Sequence, residues 1–287
     1  MKVEAQFEEA ILKRFFSGME FSDQREEEVF FSYIRGFSIL FFDPSVKNIV
    51  EIGGGQSTAI FALMAERFGC KVSAIDMNPE AIRNKVRNAK ICDKIFKDVH
   101  FLRGVSISRS DLDAYYAQSL VSIGGVPVSR VIEAADEFID TSMDGRKEAP
   151  VLKALNIASL DAGLLEGALV NNGRFPQPLL DLFRCKDDEF DFQSTAETSE
   201  GLLAGILEQG EVDMVFLDSG EFSSLPEWEI VSRKLRVGGY VILHDVLFPK
   251  SFKNWLVCAS IMASPEWKVI YFDRSNPQGL MVARREK

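Results

Sequence analysis

Residues 49–62 read IVEIGGGQSTAIFA: a short apolar run, an acid within it, three consecutive glycines, then a second apolar stretch opened by Ser57 and Thr58. The first run reads as a strand and residues 57–68 as a helix. Gly53, Gly54 and Gly55 between them let the chain turn sharply and bring bare backbone N–H groups close to a ligand. A helix starting at Ser57 or Thr58 aims its positive end at that turn and favours a polar or anionic group there.

The same rhythm runs outward in both directions. After the helix come strand KVSAID, a helix over 79–90 and strand VHFLRG; beyond residue 210 come strand VDMVFLD, a helix near 225–235, strand GYVILHD and a helix near 251–262. Strands WKVIYFD and GLMVARR close the chain, joined across Ser275 to Gln278 as a hairpin. Short apolar strands separated by helices predict an α/β fold, a doubly wound and mostly parallel sheet of seven strands with helices on both faces. Helices over 3–18 and 22–42 precede it, the second capped by Ser22 with acids in its first turn. Their many phenylalanines, Phe30, Phe31 and Phe37 among them, read as an aromatic core stripe.

Composition narrows the function. The chain has 287 residues and a net charge of -10, which argues against a nucleic-acid backbone as the main partner because phosphate binding needs a basic face. No apolar run approaches the roughly 18 residues of a membrane span. The first ten residues carry three glutamates where a secretory signal wants positive charge, so a cytoplasmic location without membrane contact is expected. Cys70, Cys92, Cys185 and Cys258 are widely spaced and read as free buried thiols rather than a disulfide or zinc set. The acidity is uneven: residues 107–210 hold 18 acids against 8 bases, an excess equal to that of the whole chain. The expected organisation is therefore an N-terminal helical cap over 1–43, a cofactor-binding domain from 44–106 and 211–287, and an acidic inserted lobe over 107–210 that serves as a cap or a dimer-forming surface.

In a doubly wound sheet, ligands sit at the carboxyl ends of the strands where the strand order reverses, and the glycines stand there. Asp76 ends the next strand, 21 residues after Gly55, where a carboxylate takes two ribose hydroxyls. A dinucleotide needs a third glycine at the position of Thr58, and Glu51 beside the loop would repel a pyrophosphate while welcoming an ammonium or a sulfonium.

At this point the sequence resembles the class I S-adenosylmethionine-dependent methyltransferases. The motifs VEIGGGQST, AIDMNPEAI, VDMVFLDSGEF and LRVGGYVILHDV occur in the family's order, across about 180 residues, with the closing hairpin also in place. The pattern is most similar to small-molecule O-methyltransferases of the catechol and antibiotic-tailoring type. The resemblance implies a Rossmann-like sheet binding S-adenosylmethionine: Gly53, Gly54 and Gly55 with Gln56 and Ser57 along its methionine part, Glu51 towards its amino group, Asp76 on the ribose, Met77 under the adenine, Gly104, Val105 and Ser106 flanking the adenine, and Asp218 near the sulfonium.

Methyl transfer needs the acceptor held in line and, for a hydroxyl, a group that takes its proton. His244, at the end of GYVILHD, reads either as that base or as the group that orients Asp245, with Asp218 and Asp245 completing the catalytic set. His100 reads as structural. Catechol-type enzymes hold magnesium through an acid after the fourth strand and an Asp-Asn pair after the fifth; here Val246 replaces the Asn, so a metal is disfavoured unless the insertion supplies a ligand. Tyr115, Tyr116, Arg174 and Phe175 in the insertion are candidates for substrate contact or for plain packing. The expected function is methyl transfer to a small-molecule hydroxyl; the alternatives are an N-methyltransferase or a silent S-adenosylmethionine-binding or assembly protein of the same fold.

Overall fold

The computed structural model describes residues 24–41, 43–82, 96–139, 162–177, 180, 200–210, 212–220, 223–248, 253–275 and 278–287. The predicted helix over 3–18, the Ser22 cap, Cys92 and Cys185 lie outside them. Helix α1 (Gln24–Phe41) precedes β1 (Asn48–Ile52), α2 (Ser57–Phe68), β2 (Lys71–Asp76) and β3 (Val99–Arg103). In the insertion come α3 (Arg109–Ala117), β4 (Ser122–Ile123), β5 (Val126–Pro127), α4 (Val128–Ala135), α5 (Ala162–Asn172) and α6 (Leu202–Gln209). The chain continues through β6 (Met214–Leu217), α7 (Ser224–Lys234), β7 (Tyr240–His244), α8 (Trp255–Ala263), β8 (Trp267–Asp273) and β9 (Leu280–Arg285).

Seven strands form one sheet in the order β3-β2-β1-β6-β7-β9-β8, all parallel except β9, which runs against both neighbours. The doubly wound architecture and the closing hairpin expected from the sequence are both present. Strand order reverses between β1 and β6, whose registered ends are Ile52 and Leu217, so the turns after these two strands lie side by side.

The strands are apolar on both faces, and side-chain alternation splits them between two cores. On one face α1 and α2 cover Ile49, Val72, Met214, Phe216 and Ile242. Phe37 stacks on Phe61 at 4.8 Å and on Tyr33 at 5.7 Å, and Phe216 meets all three rings edge-on. Burying each such ring contributes about 1.5–3 kcal/mol, so the predicted aromatic stripe in α1 is core for Phe30 and Phe37. That ladder also fixes Tyr33 over the end of β7.

The other face carries α7, α8 and the described parts of the insertion in one continuous core, in which Leu112, Ile123, Val131, Phe138, Leu203 and Leu207 pack with Trp228, Trp255 and Val257. Polar bonds stitch the same layer. Trp228 Nε1 donates to Ser260 Oγ, Ser260 Oγ to the Ile123 carbonyl, and Trp255 Nε1 to the Ala135 carbonyl. Residues 107–139 and 200–210 therefore build part of the helical layer itself. Tyr116 meets both Tyr115 and Phe175 edge-on at 5.1 Å in this core, while Arg174 is exposed. Cys70 and Cys258 are buried free thiols, and His100 is exposed on the edge strand. Among the described residues, no helix is long and apolar enough to cross a membrane.

Candidate functional site

The glycine turn after β1 is shaped by what passes beside it. Gly53 has φ +78°, and a Cβ there would stand 2.1 Å from the Asp218 carbonyl oxygen. The two chain turns meet backbone to backbone, which only glycine permits. At Gly54 a Cβ would meet Ile82 Cδ1 at 2.1 Å, whereas at Gly55 nothing lies within 4 Å. Gly55 therefore faces open space.

The N–H groups of this turn are already committed. Gly54 N–H donates to Asp76 Oδ2 at 3.1 Å, and Gly55 N–H donates to Thr58 Oγ1 at 3.0 Å. Asp76 Oδ1 accepts from Asn78 N–H at 2.6 Å, so its carboxylate is fixed beside the turn and remains half-exposed. Gly104 N–H donates to the Asp76 carbonyl at 3.1 Å, bringing the loop after β3 alongside. Leu202 and Leu203 N–H brace that loop from α6 on the Val105 and Ser106 carbonyls. Val105 and Ser106 are buried, and the Ser106 hydroxyl donates to Glu227 Oε1, away from the turn.

Glu51 departs from its expected place. By alternation in β1 it lies on the face covered by α2, fully buried, with Ser57 Oγ donating to Oε1 at 2.5 Å and Thr58 Oγ1 to Oε2 at 2.7 Å. The expected approach of Glu51 to a ligand's amino group is corrected here: the carboxyl lies beneath the turn and ties the start of α2 to β1. Ser57 faces inward with it. Burial pushes the Glu51 pKa up to about 8, against the Ser57 and Thr58 hydrogen bonds, with Asp218 and Asp76 adding to the rise.

The second half of the site gathers at the ends of β6 and β7. Asp218 Oδ1 stands 2.9 Å from Lys253 Nζ and 3.3 Å from His244 Nδ1, and Oδ2 accepts from the Tyr33 hydroxyl at 3.2 Å. Asp245 Oδ2 lies 3.0 Å from the same Lys253 Nζ and 3.7 Å from His244 Nδ1, while Oδ1 accepts from Gln278 Nε2 at 2.7 Å. Asp245 has φ +58°, the one non-glycine in the left-handed region among the described residues. Strain of this kind concentrates at functional sites. Burial alone would raise the Asp218 pKa, but the Lys253 ammonium and His244 overcome it and hold the carboxyl at about 2.

His244 is buried against the edge of the Tyr33 ring at 4.9 Å. Burial would lower its pKa, yet Asp245 and Asp218 outweigh it and leave the pKa raised. Nδ1 faces two carboxylates and so carries a proton, and Nε2 is buried without a hydrogen-bond partner.

The structure places Gly53, Gly54, Gly55, Gln56, Asp76, Met77, Gly104, Asp218, His244 and Asp245 at the carboxyl ends of adjacent strands. It adds Tyr33, Lys253, Asn254 and Gln278. Asn254 Nδ2 bridges the Leu217 and His244 carbonyls at 3.0 and 2.7 Å, locking the ends of β6 and β7 together. No local motif marks Lys253 or Gln278; each arrives through a loop whose path depends on the whole sheet.

No family model and no curated protein matches this chain. Among solved structures it is similar to a methyltransferase from Geobacter sulfurreducens, with 10% identity and a TM-score of 0.42 over 99% of this chain and 88% of the other. It is similar to the O-methyltransferase TomG from Streptomyces achromogenes, involved in tomaymycin synthesis and solved with S-adenosylmethionine, at 11% identity and a TM-score of 0.39 over 99% and 90%. An O-methyltransferase from Bacillus cereus, solved in complex with SAH, gives 12% identity and a TM-score of 0.39 over 98% and 90%.

Proposed function

We propose that this chain transfers a methyl group from S-adenosylmethionine to a hydroxyl of a small molecule. The observation that carries the reading is the commitment of the turn's own donors: Gly54 N–H to Asp76 and Gly55 N–H to Thr58. A diphosphate needs such N–H groups unpaired, whereas a nucleoside with a positive sulfur needs carboxylates. Asp218 and Asp245 share one ammonium, Lys253, and Asp76 adds a further carboxylate beside the turn, a balance that favours a cationic ligand. The open space over Gly55 leaves room for it.

In this reading Asp76 holds the ribose hydroxyls, Met77 and Gly104 to Ser106 border the adenine, and the turn at Gly53 to Gln56 with Asp218 borders the methionine part. When bound, the cofactor supplies a methyl group activated on a sulfonium. The chain's own residues supply position and a proton acceptor. Asp218 keeps the His244 Nδ1 proton in place, and Nε2 takes the proton of the acceptor hydroxyl. Tyr33, closing over both, excludes water from that end of the crevice.

Incubation with S-adenosylmethionine carrying a labelled methyl group, against a panel of small hydroxylated and amino compounds, tests the reading. Label should pass to a hydroxylated compound in the wild type and not in Asp76→Ala. Label on an amino compound alone would make the chain an N-methyltransferase, and tight cofactor binding without transfer to any compound would make it a silent binding protein.

A further inference from the structure

Asp218, His244 and Asp245 offer three ligand atoms within 4.8 Å of one another, the one such group among the described residues. A hard divalent cation asks for six or more oxygen ligands at close range. Here the oxygens are spoken for: Tyr33 bonds Asp218 Oδ2, Gln278 bonds Asp245 Oδ1, and Lys253 Nζ lies between the remaining two at 2.9 and 3.0 Å. Val246, where a third oxygen ligand would be expected, is a fully buried aliphatic side chain. The donor set does not fit a magnesium ion.

Lys253 is also built into place. Its carbonyl accepts a hydrogen bond from Ser224 Oγ on α7. The next residue, Asn254, is fully buried, donates its N–H to the Asp245 carbonyl at 3.1 Å and clamps the ends of β6 and β7 through its side chain. The Lys253 side chain is only 13% exposed. A wandering surface lysine has none of these restraints.

We propose that Lys253 is the resident cation of this site, a positioning residue that stands where a divalent ion would stand and holds Asp218 and Asp245 in fixed orientation without any metal. The use made of that charge rests on the methyl-transfer reading; the occupancy itself does not. It follows that the site works without magnesium and rejects it, because an ion would have to displace a covalently tethered ammonium from two carboxylates.

Mn2+ serves as the probe, followed by electron paramagnetic resonance of the free ion and by thermal unfolding. In the wild type we expect no saturable binding below the millimolar range typical of weak sites. In Lys253→Ala, where both carboxylates lose their partner, we expect a lowered melting temperature, at least tenfold tighter Mn2+ binding, and recovery of stability on adding Mn2+. Micromolar Mn2+ binding in the wild type that Asp245→Asn abolishes would overturn the proposal, as would a folded Lys253→Ala protein that binds no Mn2+. If Lys253→Ala does not fold, the wild-type titration against Asp245→Asn decides alone. A parallel titration of the wild type with S-adenosylmethionine separates the two ideas: lost cofactor binding with absent Mn2+ binding removes the methyl-transfer reading and leaves Lys253 as the cation.

Discussion

Gly54 N–H and Asp76 Oδ2 are joined at 3.1 Å across the ends of β1 and β2, and this bond commits a donor of the glycine turn to a carboxylate. Asp76 keeps lone pairs for a ribose while it fixes the turn. Asp76→Ala should lower affinity for S-adenosylmethionine at least about tenfold, the value of one lost charge-assisted hydrogen bond. Calorimetry checks it, and unchanged affinity would place the ribose elsewhere.

His244 has one nitrogen on carboxylates and one without a partner. His244→Ala should bind the cofactor normally and transfer methyl about 10²-fold more slowly, the loss typical of a removed general base. Single-turnover rates with the acceptor found in the labelling screen measure this. A rate near that of the wild type would leave His244 only the role of orienting Asp245.

Glu51 predicts a pH effect on stability. Its folded pKa is raised from 4.5 to about 8 by burial, so between those values the folded state holds a proton that the unfolded chain releases. Stability therefore falls as pH rises through that window, by up to about 1.4 kcal/mol per pH unit for this group. Glu51→Gln keeps the shape and removes the titration, so its unfolding free energy should decline less from pH 5 to 8 than that of the wild type. Parallel slopes in urea titrations of the two proteins would contradict the neutral, buried Glu51.

Neighbouring glycines should behave differently. Gly53→Ala forces a side chain onto the Asp218 carbonyl at a positive φ and should destabilise by about 2 kcal/mol. Gly55→Ala enters open space and should leave stability within about 0.5 kcal/mol. Thermal melts of the pair give the comparison; equal losses would mean that the close approach of the two turns is misread.

Periodicity and punctuation made the sheet legible, because alternating apolar runs and helical stretches admit few topologies. Asp218, His244 and Asp245 gather at the ends of β6 and β7, and Asp76 ends β2 on the same edge of the sheet. Glu51 was misplaced because its position beside the glycines says nothing about which face of β1 it takes; alternation against Ile49 puts it under α2. Lys253 fell inside a predicted helix near 251–262, but α8 starts at Trp255, and the preceding turn is what delivers the ammonium to the carboxylates. The insertion misled for another reason. Its acidity suggested a separate surface, while its packing is decided by Leu112, Ile123, Val131 and Phe138, whose partners on α7 and α8 lie more than eighty residues away in sequence.

The most direct test titrates the wild type in parallel with S-adenosylmethionine and NAD under one buffer and follows the heat of binding. Saturable binding of S-adenosylmethionine with none of NAD is the result predicted by a turn whose N–H groups are committed and a crevice with excess negative charge. Binding of NAD with no response to S-adenosylmethionine would contradict it.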